Sequence, residues 1–103
     1  MKQDTLMSII KERHQACLST LDYKSSIYSP QNDKLANFKD VASMNQTTPQ
    51  NALWSMVSKH LIAVRDMILS GNIPTEQWIK EYLGDIHNYM FLLEAIWREN
   101  ENK

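Results

Sequence analysis

The chain is 103 residues long, 43% hydrophobic and 22% charged, with a formal net charge of −1. That is one globular domain's worth of sequence, with too little charge imbalance for disorder or for nucleic-acid binding through a general basic surface. No apolar run approaches the ~20 residues of a membrane span, and the lone Cys17 excludes an intramolecular disulfide, as expected of a reducing, cytoplasmic setting.

Read in chain order, the sequence is all-α: no period-2 alternation is sustained, and Asn-Gly and Asp-Gly hairpin signals are absent. Asp4 is expected to cap a first helix over 4–21, and Met7, Ile10, His14, Cys17, Leu18 and Leu21 share one of its faces. The amphipathic start is unlike the apolar stretch of a signal peptide. From Asp22 to Pro30 the chain is polar and reads as a loop, about 22–31, long enough to be a candidate functional element. A short second helix is expected over 32–44, with Leu35, Phe38, Val41 and Ala42 apolar. Thr48-Pro49 starts a third helix over 49–70, which stops where Gly71 can take a left-handed C-cap conformation. Pro74-Thr75-Glu76 opens a fourth over 75–98, leaving 99–103 as a disordered tail. The glycines and prolines are all read as helix ends.

The short connection makes the third and fourth helices antiparallel neighbours, so residues whose numbers sum to about 145 share a height. Met67 then meets Trp78, Met56 meets Tyr89, Leu53 meets Leu92, and His60 meets Asp85. His60 and Asp85 each fall on an apolar face, where a carboxylate needs a partner, a ligand or a shifted pKa. They read either as a hydrogen-bonded pair that fixes helix register or as part of a polar ligand pocket. His14 adds a further polar group to this interior, and a metal site of His14, His60 and Asp85 is geometrically imaginable but lacks diagnostic spacing. Cys17 reads as a small core residue. Lys24, Lys34, Lys39, Lys59 and Arg65 are candidates for a local anion-binding surface. Trp54 and Trp97 read as interface anchors, and three Trp with six Met leave apolar surface that a homodimer would cover. No Walker loop, dinucleotide fingerprint, nucleophile elbow or zinc-finger spacing occurs.

The stretch Asn32-Asp33-Lys34-Leu35-Ala36-Asn37-Phe38-Lys39, with Thr48-Pro49-Gln50-Asn51-Ala52-Leu53-Trp54, Lys59-His60 and Asp66-Met67-Ile68, resembles small phage and prophage proteins. Glu81-Tyr82-Leu83-Gly84-Asp85-Ile86-His87-Asn88-Tyr89 resembles the last core helix of MazG-like all-α nucleoside triphosphate pyrophosphohydrolases. Phage nucleotide-modification-associated proteins are similar there and share an Asp-Tyr pair, here Asp22-Tyr23. The resemblance implies a MazG-like helical bundle in the cytoplasm of a bacterial host, often dimeric, holding Mg²⁺ on clustered carboxylates. Those enzymes carry Glu-Glu-x-x-Glu on one helix and Glu-x-x-Asp on the next. Asp85 matches the final Asp, but Tyr82 stands where the preceding Glu is wanted, with Glu81 one position off. The third helix offers only Asp66, with Lys59 and His60 where acids are wanted. Mg²⁺ chemistry needs several hard oxygen ligands, so the metal motif is degenerate.

Two functions follow as expectations. The first is a non-enzymatic, phage-type binding protein without a cofactor, holding a host protein, as in counter-defence inhibition, or a nucleotide-like ligand. Its candidate site is His60, Asp85, Tyr82, Tyr89, Lys59, Asp22 and Lys24. The alternative is a divergent Mg²⁺-dependent nucleoside triphosphate pyrophosphohydrolase, with Asp85, Asp66 and Glu81 as metal ligands.

Overall fold

The structure, a computed structural model, describes residues 1–28 and 33–101, with side chains over 1–24 and 33–100. Its elements are α1 (Gln3–Tyr28), α2 (Ala36–Met44), α3 (Pro49–Ser70) and α4 (Glu76–Glu101), and no strand occurs among the described residues. The protein is all-α. No described helix is long and apolar enough to cross a membrane.

α3 has the ends its sequence dictates. Thr48 is extended and its Oγ1 accepts from the Asn51 N–H at 3.3 Å, Pro49 takes the first helical position, and Gly71 closes the helix at φ 73°. α1 differs from expectation. It runs about two turns past Leu21, so 22–28 are helix and not part of the loop expected over 22–31, and 29–32 lie outside the described residues. Asp22 to Tyr28 contains neither glycine nor proline, and polarity alone does not interrupt a helical hydrogen-bond ladder. Asp4 lies within the first turn instead of capping it.

α2 begins at Ala36, later than the expected 32, because Asp33 Oδ1 accepts from the Leu35 N–H at 3.0 Å. That side-chain turn competes with the helix for the backbone. α4 continues to Glu101, so 99–101 are helix and not tail. Lys39 Nζ ties the two together, 2.6 Å from Asp33 Oδ2 and 2.6 Å from Glu99 Oε1. Its hydrogen bonds to Asp33 and then Glu99 hold the ammonium above its usual pKa.

The core lies where α2 covers the α3–α4 pair. Leu53 and Val57 are fully buried, joined by Leu35, Phe38 and Ile96, with Met56, Ile86, Tyr89 and Leu92 packed around them. α1 lies antiparallel on α4: Cys17 Sγ is 3.6 Å from the Gly84 carbonyl, and the His14 ring meets Phe91 edge-on at 6.0 Å. Of the face expected for this helix, Cys17 is buried and Leu21 half-buried, while Met7, Ile10, His14 and Leu18 are exposed. The reason is geometric: α1 packs chiefly on one neighbour, which covers a narrower stripe than a core would. Burial raises the Cys17 thiol pKa, and the Arg13 charge opposes that rise.

Gly84 is the glycine that does not end a helix. It sits inside α4 at the contact with α1, yet a Cβ built there would meet only Arg13 Nη1, at 3.9 Å. The close approach therefore does not require glycine, and its backbone freedom is a cost in a helix interior. Gly84→Ala should raise stability by about 0.5–1 kcal/mol in urea unfolding. A loss of 1 kcal/mol or more would mean that α1 sits closer to α4 than described.

Candidate functional site

α1 and α2 lie on the same side of the α3–α4 pair and leave between them a cavity of about 620 Å³. Its wall is mostly apolar: Leu21 from α1, Phe38 and Val41 from α2, Met56 from α3, and Leu92 from α4. Polar groups enter at Lys24, Lys34, Asn37, Asp85, Asn88 and Tyr89. Volume and lining are those of a small-molecule site, a concave apolar body with a few placed polar groups.

Asp85 organises the polar side. Its Oδ2 lies 3.1 Å from His60 Nε2 on α3, and its Oδ1 accepts from Lys24 Nζ on α1 at 3.4 Å. The two partners occupy different oxygens, so the carboxylate is held from both flanks. His60 and Asp85 side chains are 22% and 23% exposed, so the pair is half-buried and not the fully interior one expected. The imidazole is also fixed by rings, with Tyr82 at 5.6 Å and Tyr89 at 5.7 Å, and Trp78 extends the column 4.8 Å beyond Tyr82. Burial, then the Asp85 charge, raises the Tyr89 phenol above its usual 10.0.

Among the described residues, Gln50 Oε1, His60 Nδ1 and Asn88 Oδ1 are buried without a hydrogen-bond partner, and the last two belong to this site. Asn88 is the more informative because it is only 7% exposed and lines the cavity. An unpaired buried carbonyl costs about 1–3 kcal/mol, which a ligand N–H would recover.

Of the residues expected to bind a ligand, Lys24, Asp85 and Tyr89 line the cavity, while His60 and Tyr82 stand behind Asp85 as its support. Lys59 and Asp22 are exposed and do not line it. The expected anion-binding set divides. Lys24 and Lys34 face the cavity, whereas Lys39 is engaged by Asp33 and Glu99 and Arg65 by Asp66.

The Mg²⁺ set of Asp85, Asp66 and Glu81 does not assemble. Asp66 accepts from Arg65 on an exposed surface, Glu81 is exposed, and Asp85 already serves a lysine and a histidine. Among the described residues no three of His, Cys, Asp or Glu converge to hold a metal, and His14 lies apart beside Phe91. The donors present do not fit Mg²⁺. Sequence reasoning missed Asn88. Its spacing of three from Asp85 puts it one turn along the same helix, a signal that becomes specific only once α1 and α2 are placed.

No family model, curated protein or solved structure matches this chain.

Two measurements test this geometry. His60→Leu and Asp85→Leu should each cost about 1–3 kcal/mol, and the double variant clearly less than their sum; strict additivity would mean that the side chains do not meet. The folded state also holds the Tyr89 proton more tightly than the unfolded chain does. Its contribution to stability is full below the ordinary tyrosine value of 10.0 and is lost as the pH rises through the raised one. The urea midpoint should therefore fall on alkalinisation, and fall less in Tyr89→Phe; equal slopes would contradict the assignment.

Proposed function

We propose that the chain is a non-enzymatic binding protein that holds a nucleotide-like ligand in the cavity between α1, α2 and the α3–α4 pair. The observation that carries this reading is an apolar cavity of about 620 Å³ whose wall includes Asn88, a residue with a buried, unpartnered Oδ1. A planar base would bury its rings against Phe38, Met56 and Leu92 and donate an N–H to Asn88. Lys24 uses Asp85 as its counter-charge and, being about half exposed, keeps donors for an anionic group at the mouth, where Lys34 also lies. The sequence likeness to phage nucleotide-modification-associated proteins leans the same way. Support for binding over hydrolysis comes from the donor set, in which Asp85 is the carboxylate lining the cavity and is already paired twice. Attachment to a host protein would use the exposed apolar faces and not this cavity.

Titration calorimetry with deoxynucleoside 5′-monophosphates and the matching nucleosides tests the reading. Monophosphates should bind more tightly than nucleosides, and Lys24→Ala should remove about tenfold of that preference. Asn88→Leu should abolish binding while raising the stability of the unliganded protein by about 1 kcal/mol, because it removes a buried unpaired carbonyl. If no nucleotide binds at millimolar concentration, the reading fails.

A further inference from the structure

The α3–α4 pair has two faces, and α1 and α2 cover only one of them. On the other, α3 carries Trp54, Leu61 and Ile68, and α4 carries Leu83, Met90 and Trp97. Within each helix these residues are seven apart, the spacing that keeps side chains on one seam against another helix. Trp54 is two residues from Met56, and Met90 two residues from Asn88. At 3.6 residues per turn, each therefore points about 160° away from the cavity that Met56 and Asn88 line. Trp54, Leu61, Ile68, Met90 and Trp97 are between 37% and 72% exposed. Behind them, the intervening heptad positions Val57 and Leu93 are already packed in the core, so the seam is anchored and only its outer half is bare.

We propose that this face is covered by the same face of a second copy of the chain, two α3–α4 pairs meeting about a two-fold axis as a four-helix interface. Three observations select a second copy. The seam occurs on both helices with one repeat, so its complement must bring two helices with that repeat, and a two-fold supplies them. The area falls within the range that a stable dimer needs. Helices of 22 and 26 residues, ~33 Å and ~39 Å long and each ~10 Å wide, present roughly 720 Å² per copy. Standard stable interfaces bury about 600–1,000 Å² per partner. The charges also permit it. The chain's net charge is −1, so copies repel little. Arg65, which would exchange its exposed contact with Asp66, borders the α3 seam and Glu76 the α4 seam. With α3 of one copy laid on α4 of the other, in the register that sets His60 beside Asp85, these two come within about a turn of each other. The inference is independent of what fills the cavity.

Sedimentation velocity of the full chain from 1 to about 100 μM, with acrylamide quenching of tryptophan on the same samples, is the test. The wild type should reach twice its 12.0 kDa mass, with quenching falling in step as Trp54 and Trp97 become covered. Leu61→Glu and Met90→Glu should each weaken association at least tenfold with helicity by circular dichroism unchanged, while Ile10→Glu on the exposed side of α1 leaves it intact. If a glutamate variant loses its helicity, the concentration dependence of wild-type quenching decides. A wild-type monomer at 100 μM overturns the proposal. So does a dimer in which quenching stays constant, or one that survives both glutamates and is lost in Ile10→Glu.

Discussion

Asp85 is a charge that three helices share. It stands on α4, accepts from Lys24 on α1 and pairs with His60 on α3, each contact using a separate oxygen. A carboxylate at a half-buried position is tolerable only with such partners, and holding them fixes the helices that carry them. The His60 contact sets the height of α3 against α4. The Lys24 contact brings the C-terminal part of α1 over the same groove. Together with α2, that placement encloses the cavity in which Asn88 is left unpaired.

What could be read from the sequence follows from the length of the connections. Gly71 to Thr75 is too short to let α3 and α4 do anything but pack antiparallel, so counting residues sufficed to set His60 opposite Asp85. Thr48-Pro49 and Gly71 carry their end signals in their own chemistry. The position of α1 carries no such signal, because no tight connection leads from it to α2. Its apolar residues suggested a buried face, and the polar stretch from Asp22 suggested a loop. The first inference failed because α1 packs mainly on one helix, the second because Asp22 to Tyr28 holds no glycine or proline to break the ladder. Asn88 was illegible for the same reason: its role depends on what α1 and α2 enclose. Asp66 and Glu81 could be put on a metal list from types and rough spacing, but Asp66 is turned outward to Arg65, Glu81 is exposed, and Asp85 one turn on from Glu81 already serves Lys24 and His60.

A chain of this size has too few helices to cover both sides of a central pair. α1 and α2 occupy one side and form a cavity there. The other side keeps an apolar seam of seven-residue spacing running along both helices. The two features are joined through the core: Met56 lines the cavity one residue before Val57, which backs the seam. A ligand that tightened the groove would thus act on the same two helices that carry the outer face.

The central claim is that Asn88 and Lys24 mark a ligand site. It is tested most directly by following the Asn88 side-chain amide and the Lys24 ammonium by nuclear magnetic resonance during titration with a deoxynucleoside monophosphate. The account predicts saturable shifts at both groups, with neighbouring shifts at Phe38, Met56 and Tyr89 and none at Ile68 or Ile73. Shifts confined to the outer residues, or no shift at Asn88 while binding occurs, would contradict it.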